Sequence, residues 1–272
     1  MAARRRGDAG RRGPGGRQAV CRNPLAEPGI LGITAGAGLG AVSLLTFVPL
    51  AGVWAVSGVA GLGAMLAFAL VYGAAWRGGL SSDRLVLIGF GAWQGGMAMI
   101  TFMIVAFDPW NTGKALTWLS GSTYGRTATQ VLPVAIALLV LTPAVVAARR
   151  ELDLMTLDDD TPRVLGVRLE RTRLIALGAA ALLTSTAVSA VGVIGFVGLV
   201  APHAARALVG GRHTRVLPVA ALLGAALVSL ADTLGRTVIA PAQIPAGLVT
   251  AMIGTPYFVW LLWRSRAATP SR

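Results

Sequence analysis

Apolar and polar residues fall into long separate blocks along this chain. Apolar runs occupy about Gly29–Phe47, Leu50–Tyr72, Leu85–Phe107, Val131–Ala148, Leu174–Val191, Val193–Val209, Val216–Leu234 and Ala246–Trp263. Each is about 17–23 residues long, enough to cross a hydrocarbon layer of about 30 Å as an α-helix. Only helices and closed barrels satisfy every backbone polar group in lipid. A barrel strand would show about ten residues of alternating polarity, and nothing here alternates. The pattern predicts an all-α, polytopic transmembrane bundle of about eight spans. The runs between 174 and 209 are almost continuous, and Gly192 is the expected break.

Composition strengthens this picture. Of 272 residues, 55% are hydrophobic and 13% charged, about half the charge content of an ordinary soluble domain. The 24 Lys and Arg residues outweigh the 11 Asp and Glu, giving a net charge of +13. On a soluble domain that balance would suggest a nucleic-acid surface. Here the cations stand between apolar runs, so they report topology and no nucleic-acid partner is expected. With Arg149, Arg150 and the stretch to Arg173 on the inside, alternation puts 21 of the 24 cations inside. Lys114, Arg126 and Arg236 fall outside. That bias follows the positive-inside rule and makes both termini cytoplasmic.

Cys21 is the one cysteine, which excludes an intramolecular disulfide and a cysteine metal cluster. Residues 1–17 hold six arginines and no apolar core. They read as a basic disordered tail rather than a secretory signal, leaving residues 18–272 as the membrane domain. Trp54, Trp110, Trp118 and Trp263 fall near span ends and are expected as interface anchors.

Gly32, Gly36 and Gly40 share one helix face and allow close approach of a neighbouring helix. Gly91 and Gly95 repeat the spacing. The longest inside loop, residues 150–172, carries Leu152, Leu154, Met155 and Leu157, then Asp158–Asp160, Thr161-Pro162, and Val164, Leu165, Gly166 and Val167. It predicts two short helices broken near 158–161, since proline and acidic residues suit a helix start. Its apolar residues fit a protein docking surface or an amphipathic segment on the bilayer. The pattern alone leaves both open.

The stretch Arg22-Asn-Pro-Leu-Ala-Glu-Pro-Gly-Ile-Leu-Gly-Ile-Thr-Ala-Gly-Ala-Gly-Leu-Gly-Ala41 resembles the approach to the third helix of iron-siderophore and cobalamin ABC importer permeases, the FecCD/BtuC type. The loop from Leu152 to Leu165-Gly166-Val167 resembles that family's coupling loop. Gly195-Phe196-Val197-Gly198-Leu199-Val200-Ala201-Pro202-His203 is similar to its Gly-Phe-x-Gly-Leu-x-x-Pro-His signature. Ala231-Asp232, Arg236 and the run from Pro245 through Gly247, Thr250, Gly254 and Pro256 to Phe258 complete the likeness, which covers about Gln18 to Arg266.

The resemblance implies the permease of a type II ABC importer, moving a ferric siderophore, haem or cobalamin across a bacterial cytoplasmic membrane. Its partners would be two ATPase subunits inside, a substrate-binding protein outside, a second permease copy or paralogue, and membrane lipid. No cofactor and no metal site are implied. The eight spans would be family helices three to ten, so the chain is expected to be a shortened form. Leu152, Met155, Leu157, Asp158, Pro162, Leu165, Gly166 and Val167 would contact the ATPase. Arg236 would meet an acidic residue of the binding protein, and it also stands four residues from Asp232, at ion-pair spacing on one helix. Gly195 and Gly198 are expected to pack helices, and Pro202 to kink one.

Two competing classes are weaker. A secondary transporter or channel needs intramembrane charges for a coupling-ion relay, and Asp232 is the one acid near a span interior. An intramembrane enzyme needs a paired constellation, whereas His203 has no partner at metal-ligand spacing. The chain contains no Gly-x-x-x-x-Gly-Lys-Ser/Thr phosphate loop, and its one lysine is Lys114, so ATP hydrolysis would belong to a partner.

Overall fold

The computed structural model describes residues 32–76, 82–107, 112–155 and 169–267. In chain order the helices are α1 (Ile33–Phe47), α2 (Val53–Ala75), α3 (Ser82–Phe107), α4 (Thr112–Leu119), α5 (Ala128–Ala147), α6 (Arg149–Met155), α7 (Leu169–Val191), α8 (Val197–Val209), α9 (His213–Thr237) and α10 (Ala246–Ala267). Each of the eight apolar runs forms a helix. Five of these, α2, α3, α5, α7 and α9, are long and apolar enough to cross a membrane. Among the described residues the other three apolar runs form the helices α1, α8 and α10, of which α8 is the shortest at 13 residues. α1 starts after Gly32 at φ +80°, α8 after a reversal with φ +79° at Gly192 and +67° at Phe196, and α10 after Ile244, whose N–H bonds to the Gly235 carbonyl.

The core forms where α1 lies against α2. A Cβ on Gly36 would fall inside 3.0 Å of the Gly63 carbonyl oxygen, and a Cβ on Gly63 inside 3.0 Å of the Gly36 carbonyl oxygen. A Cβ on Gly40 would stand 2.6 Å from the Val59 oxygen. With no hydrophobic drive between helices in lipid, such backbone contact is a main source of association. Ile33, Ala37, Ala41, Ala60, Ala64 and Ala181 are fully buried around it. Ser185 on α7 donates from Oγ to the Gly61 carbonyl at 3.0 Å, joining α7 to α2.

The second glycine pair behaves otherwise. A Cβ on Gly91 or Gly95 would meet nothing within 4 Å. The packing residue of α3 is Gly96, whose Cβ would stand 2.8 Å from that of Ala35.

Large apolar side chains cover the outside of the bundle, among them Leu87, Leu139 and Leu222, each more than 70% exposed. A soluble protein would not present that surface to water; a multi-pass membrane protein presents it to lipid. Trp54 and Trp263 are exposed, as interface anchors would be. Trp118 is a correction: it is 8% exposed and belongs to the core. The reason is α4, a short helix with no apolar run to announce it, which turns Trp118 inward.

Candidate functional site

Three chain reversals meet at the inner ends of α4, α7, α8 and α10. Ser122 donates its backbone N–H to the Val191 carbonyl at 2.7 Å, and Gly247 donates to the Gly121 carbonyl at 3.1 Å. Ile244 donates to the Gly235 carbonyl at 3.0 Å, tying the same region to α9. Glycines make this possible. A Cβ on Gly121, Gly192 or Gly247 would fall inside 3.0 Å of the carbonyl oxygens of Val193, Trp118 and Ser120 respectively. Gly121 and Gly192 also hold φ near +64° and +79°, which side chains with a Cβ adopt only under strain. The break expected at Gly192 is therefore a reversal locked by main-chain contact.

Phe196 follows with φ +67°, a conformation that is uncommon for a bulky residue. Its ring lies where a Cβ on Gly254 would stand 2.6 Å from the Phe196 Cβ. The absent side chain at Gly254 is what admits it. The role expected of Gly195 falls on Gly192 instead, since a Cβ on Gly195 would meet nothing within 4 Å. Gly198 and Pro202 both lie within α8, which continues past the proline to Val209.

Beside this junction a chain of polar contacts closes one end of the bundle. Thr123 donates from Oγ1 to Asp232 Oδ1. Arg236 donates from Nε to Asp232 Oδ2 at 2.8 Å, four residues along α9. The guanidinium of Arg236 lies 5.5 Å from the centre of the Tyr124 ring, within cation–π range. The Asp232–Arg236 spacing is thus an intrahelical ion pair, and it reaches further than the spacing indicates, to the 123–124 turn. Tyr124 also lines a cavity of about 430 Å³ between the ends of α1 and α2, the α4 helix and the 122–126 loop. Lys114 and Arg126 line the same cavity. Of the three cations that topology sets apart from the other 21, Arg236 thus lies against Tyr124, and Lys114 and Arg126 line the cavity that Tyr124 also lines.

Arg126 is half-buried, and its Nε donates to the Ser122 carbonyl at 3.3 Å. Burial holds its guanidinium below the ordinary arginine range, though a guanidinium stays charged in a protein. α5 starts next to it with a capping box in which Thr127 accepts from, and donates to, Gln130.

The opposite end of α9 is held differently. His213, the first residue of α9, donates its backbone N–H to Asp153 Oδ1 at 3.0 Å, and its ring Nδ1 lies 2.5 Å from the same oxygen. A carboxylate at a helix start meets free backbone N–H groups and the positive end of the helix dipole. Asp153 is on α6, the first part of the expected coupling loop. Leu152 on α6 is buried, 7% exposed. That corrects its expected place on a free docking surface, because α6 folds back against its own bundle. Met155 ends α6. Leu157, Asp158, Pro162, Leu165, Gly166 and Val167 lie outside the described residues, as do the tail 1–17 and the stretch from Arg22 to Ile30. Among the described residues no three His, Cys, Asp or Glu side chains converge as a metal site would need.

Sequence reasoning passes over Thr123, Tyr124, Asp153 and His213 as functional positions. Only the carboxylate at 153 carried a signal, as an acid in a loop. The contacts of Gly121 and Gly247 have no spacing pattern to find them by.

Comparison with known proteins fixes the lineage of this arrangement. Residues 16–264 match the profile of the FecCD transport family. The iron(3+)-hydroxamate import system permease FhuG of Bacillus subtilis (strain 168) is 39% identical over 255 residues, covering 91% of this chain and 76% of that protein. The Fe(3+) dicitrate transport system permease FecD of Escherichia coli (strain K12) is 41% identical over 250 residues, covering 92% and 77%. A solved metal-chelate type ABC transporter in an inward-facing conformation superposes with a TM-score of 0.84 at 28% identity, covering 91% of this chain and 79% of that one.

Proposed function

The chain belongs to the FecCD transport family, and from that premise we propose that it is the permease subunit of an ABC importer that carries a ferric chelate inward. The observation that carries this reading is likeness along nearly the whole chain to iron-chelate permeases, at 39–41% identity. The internal geometry supports it. Short helices that stop inside a bundle, with backbone exposed at their ends, are how transporters build a path across lipid. At the junction of Gly121, Gly192 and Gly247 such helix ends meet, and their backbone groups bond to one another.

The bacterial cytoplasmic membrane is its location, and both termini face the cytoplasm. The α9 end bearing Arg236 faces outward, where a substrate-binding protein delivers the chelate. Charge pairing there steers the encounter and sets its orientation more than its affinity. The segment from Arg149 to Arg173 faces the cytoplasm and meets the ATPase through Met155, Leu157, Leu165, Gly166 and Val167. The permease works as a pair, with an identical or paralogous copy.

Closure of the ATPase dimer on ATP displaces that segment, and α5, α6 and α7 move with it. A motor can shift the permease between two states only so far as its contacts differ between them. Asp153 links the moving segment to the foot of α9, about 35 Å from Arg236 at 1.5 Å per residue. A proton- or ion-coupled carrier would need a free intramembrane carboxylate, and Asp232 is already engaged by Thr123 and Arg236.

The test is reconstitution in liposomes with the cognate ATPase and binding protein. Uptake of iron-55 chelate should require ATP and survive collapse of the proton gradient. Leu165→Glu should abolish uptake while the ATPase still hydrolyses ATP. ATP-independent uptake, or full coupling in Leu165→Glu, would overturn the reading.

A further inference from the structure

The cavity lined by Tyr124 is built unlike the groove between α2, α5 and α7. That groove, of about 470 Å³, is lined almost wholly by apolar side chains such as Leu132, Ile136 and Val140. It offers nothing to orient a polar ligand. The cavity of about 430 Å³ is instead lined by Lys114 and Arg126 together with Ser57, Thr117 and Ser122. Apolar side chains of α1 and α2 and the buried ring of Trp118 form the rest of its wall.

The charge balance at this end is uneven. Arg236 spends its charge on Asp232 at 2.8 Å. Among the described residues neither Lys114 nor Arg126 has a carboxylate within ion-pair distance. Among the described residues the Arg126 side chain bonds to the Ser122 carbonyl. A half-buried cation without a counter-charge is unfavourable in an apolar-walled space. The half-buried Arg126 and the exposed Lys114 line one cavity with a positive charge that no carboxylate among the described residues balances, which suits a negative ligand. The fixed fork of a guanidinium matches the two oxygens of a carboxylate, and an ammonium adds a point charge beside it.

We propose that this cavity is a binding site for an anionic, carboxylate-bearing ferric chelate, with Lys114 and Arg126 as the charge-reading residues and Ser57, Thr117 and Ser122 as hydroxyl contacts. The inference rests on the permease reading above and adds to it a ligand charge and a place. A chelate that keeps free carboxylates brings the missing charge to the Arg126 fork. A neutral chelate of similar size leaves both cations unmet and gains only the apolar wall. Tyr124 joins the site to Arg236, so a bound anion lies next to the residue expected to face the binding protein. The same oxygen chemistry occurs in an anionic phospholipid headgroup, and the experiment separates the two sources.

The experiment places the full chain in nanodiscs of phosphatidylcholine alone and titrates ferric citrate by equilibrium dialysis with iron-55. Saturable binding that falls about tenfold in Lys114→Gln and in Arg126→Gln, and is largely kept in Arg126→Lys, is the expected result. Lys114 is exposed, so its variant keeps the fold even if loss of Arg126 disturbs the 122–126 loop. A neutral ferric hydroxamate should bind more weakly and respond to neither substitution. Absence of saturable ferric citrate binding, or equal binding by all four proteins, overturns the proposal. So does ferric citrate binding that appears only with phosphatidylglycerol present, which assigns the cations to lipid. ATP-driven uptake in liposomes separates this from the underlying reading. If uptake persists unchanged in Lys114→Gln, only the cavity assignment falls; if no chelate is taken up by the unaltered protein, the permease reading falls first.

Discussion

The two ends of α9 are held by opposite means. At the Arg236 end the neighbouring backbones touch: glycines at 121, 192, 235 and 247 bring carbonyl oxygens to where a side chain would stand. At the His213 end a single carboxylate of α6 joins the helix, through one backbone and one ring nitrogen. Contact between main chains has no rotamers to adjust, so it keeps one geometry. A hydrogen bond to a side chain can lengthen, break and reform. A transporter needs both kinds of joint, one that keeps a path in register and one that lets a driving segment shift. The comparison assigns the first to the glycine junction and the second to Asp153 and His213.

The sharpest way to break that comparison is to add one methyl group at the junction. Gly192→Ala must place a Cβ against the Trp118 carbonyl while φ stays near +79°. Strain in the left-handed region and overpacking each cost about 1–3 kcal/mol. The expected loss is about 3 kcal/mol or more, read as a large drop in the melting temperature of the detergent-solubilised protein and a loss of uptake. Gly247→Ala should behave alike through the Ser120 carbonyl. An unchanged melting temperature for both would show that the junction yields, and the contrast between the two ends would disappear.

Next in size is Asp232→Ala. It removes the acceptor shared by Thr123 and Arg236 and leaves a guanidinium over Tyr124 with no counter-charge. About 1 kcal/mol of stability should be lost, since the arginine is 42% exposed and its pair is screened by solvent. In a double-mutant cycle with Arg236→Ala the two losses should overlap rather than add. Full additivity would mean that the pair contributes nothing beyond its separate side chains.

How much of this was open to reading from the residues alone depends on which force leaves a pattern. Burial in lipid leaves long apolar runs, and all eight became helices with a break at Gly192. The three outside cations were also separable, because the positive-inside bias is a count along the chain. Their placement about the cavity that Tyr124 lines was not, since it depends on how the α4 turn folds. α4 itself, Thr-Gly-Lys-Ala-Leu-Thr-Trp-Leu, is too short and too mixed to show a period, and so Trp118 passed for an interface residue. Gly121 and Gly247 belong to no repeat. The triad at Gly32, Gly36 and Gly40 and the pair at Gly91 and Gly95 show equal spacing, yet only the first meets a neighbour in the chain. Spacing describes a face of a helix and says nothing of what lies opposite.

At the other end of α9, Asp153→Asn should cost less than about 1 kcal/mol in stability, because the carboxylate is 37% exposed. The amide keeps an oxygen that can accept from the His213 N–H. Its effect should appear in coupling instead: more ATP hydrolysed per chelate carried in reconstituted liposomes, with the melting temperature nearly unchanged. A change in stability without a change in that ratio would make the pair a plain helix cap and remove the adjustable joint from the comparison.

The smallest effects belong to Gly91 and Gly95. A methyl group at either meets open space, and alanine is favoured over glycine inside a helix by about 0.5–1 kcal/mol. Gly91→Ala and Gly95→Ala should therefore leave the melting temperature level or raise it slightly. In the same scan Gly36→Ala should lower it sharply, because its methyl would enter the Gly63 carbonyl and the Ala67 side chain. These substitutions are one chemical change made on two helices with like motifs, so the difference isolates the neighbour. A large loss at Gly91 or Gly95 would mean that the face of α3 is covered in the working protein, by a second copy of the permease or another helix. The spacing at 91 and 95 would then act between chains as the one at 32–40 acts within this chain.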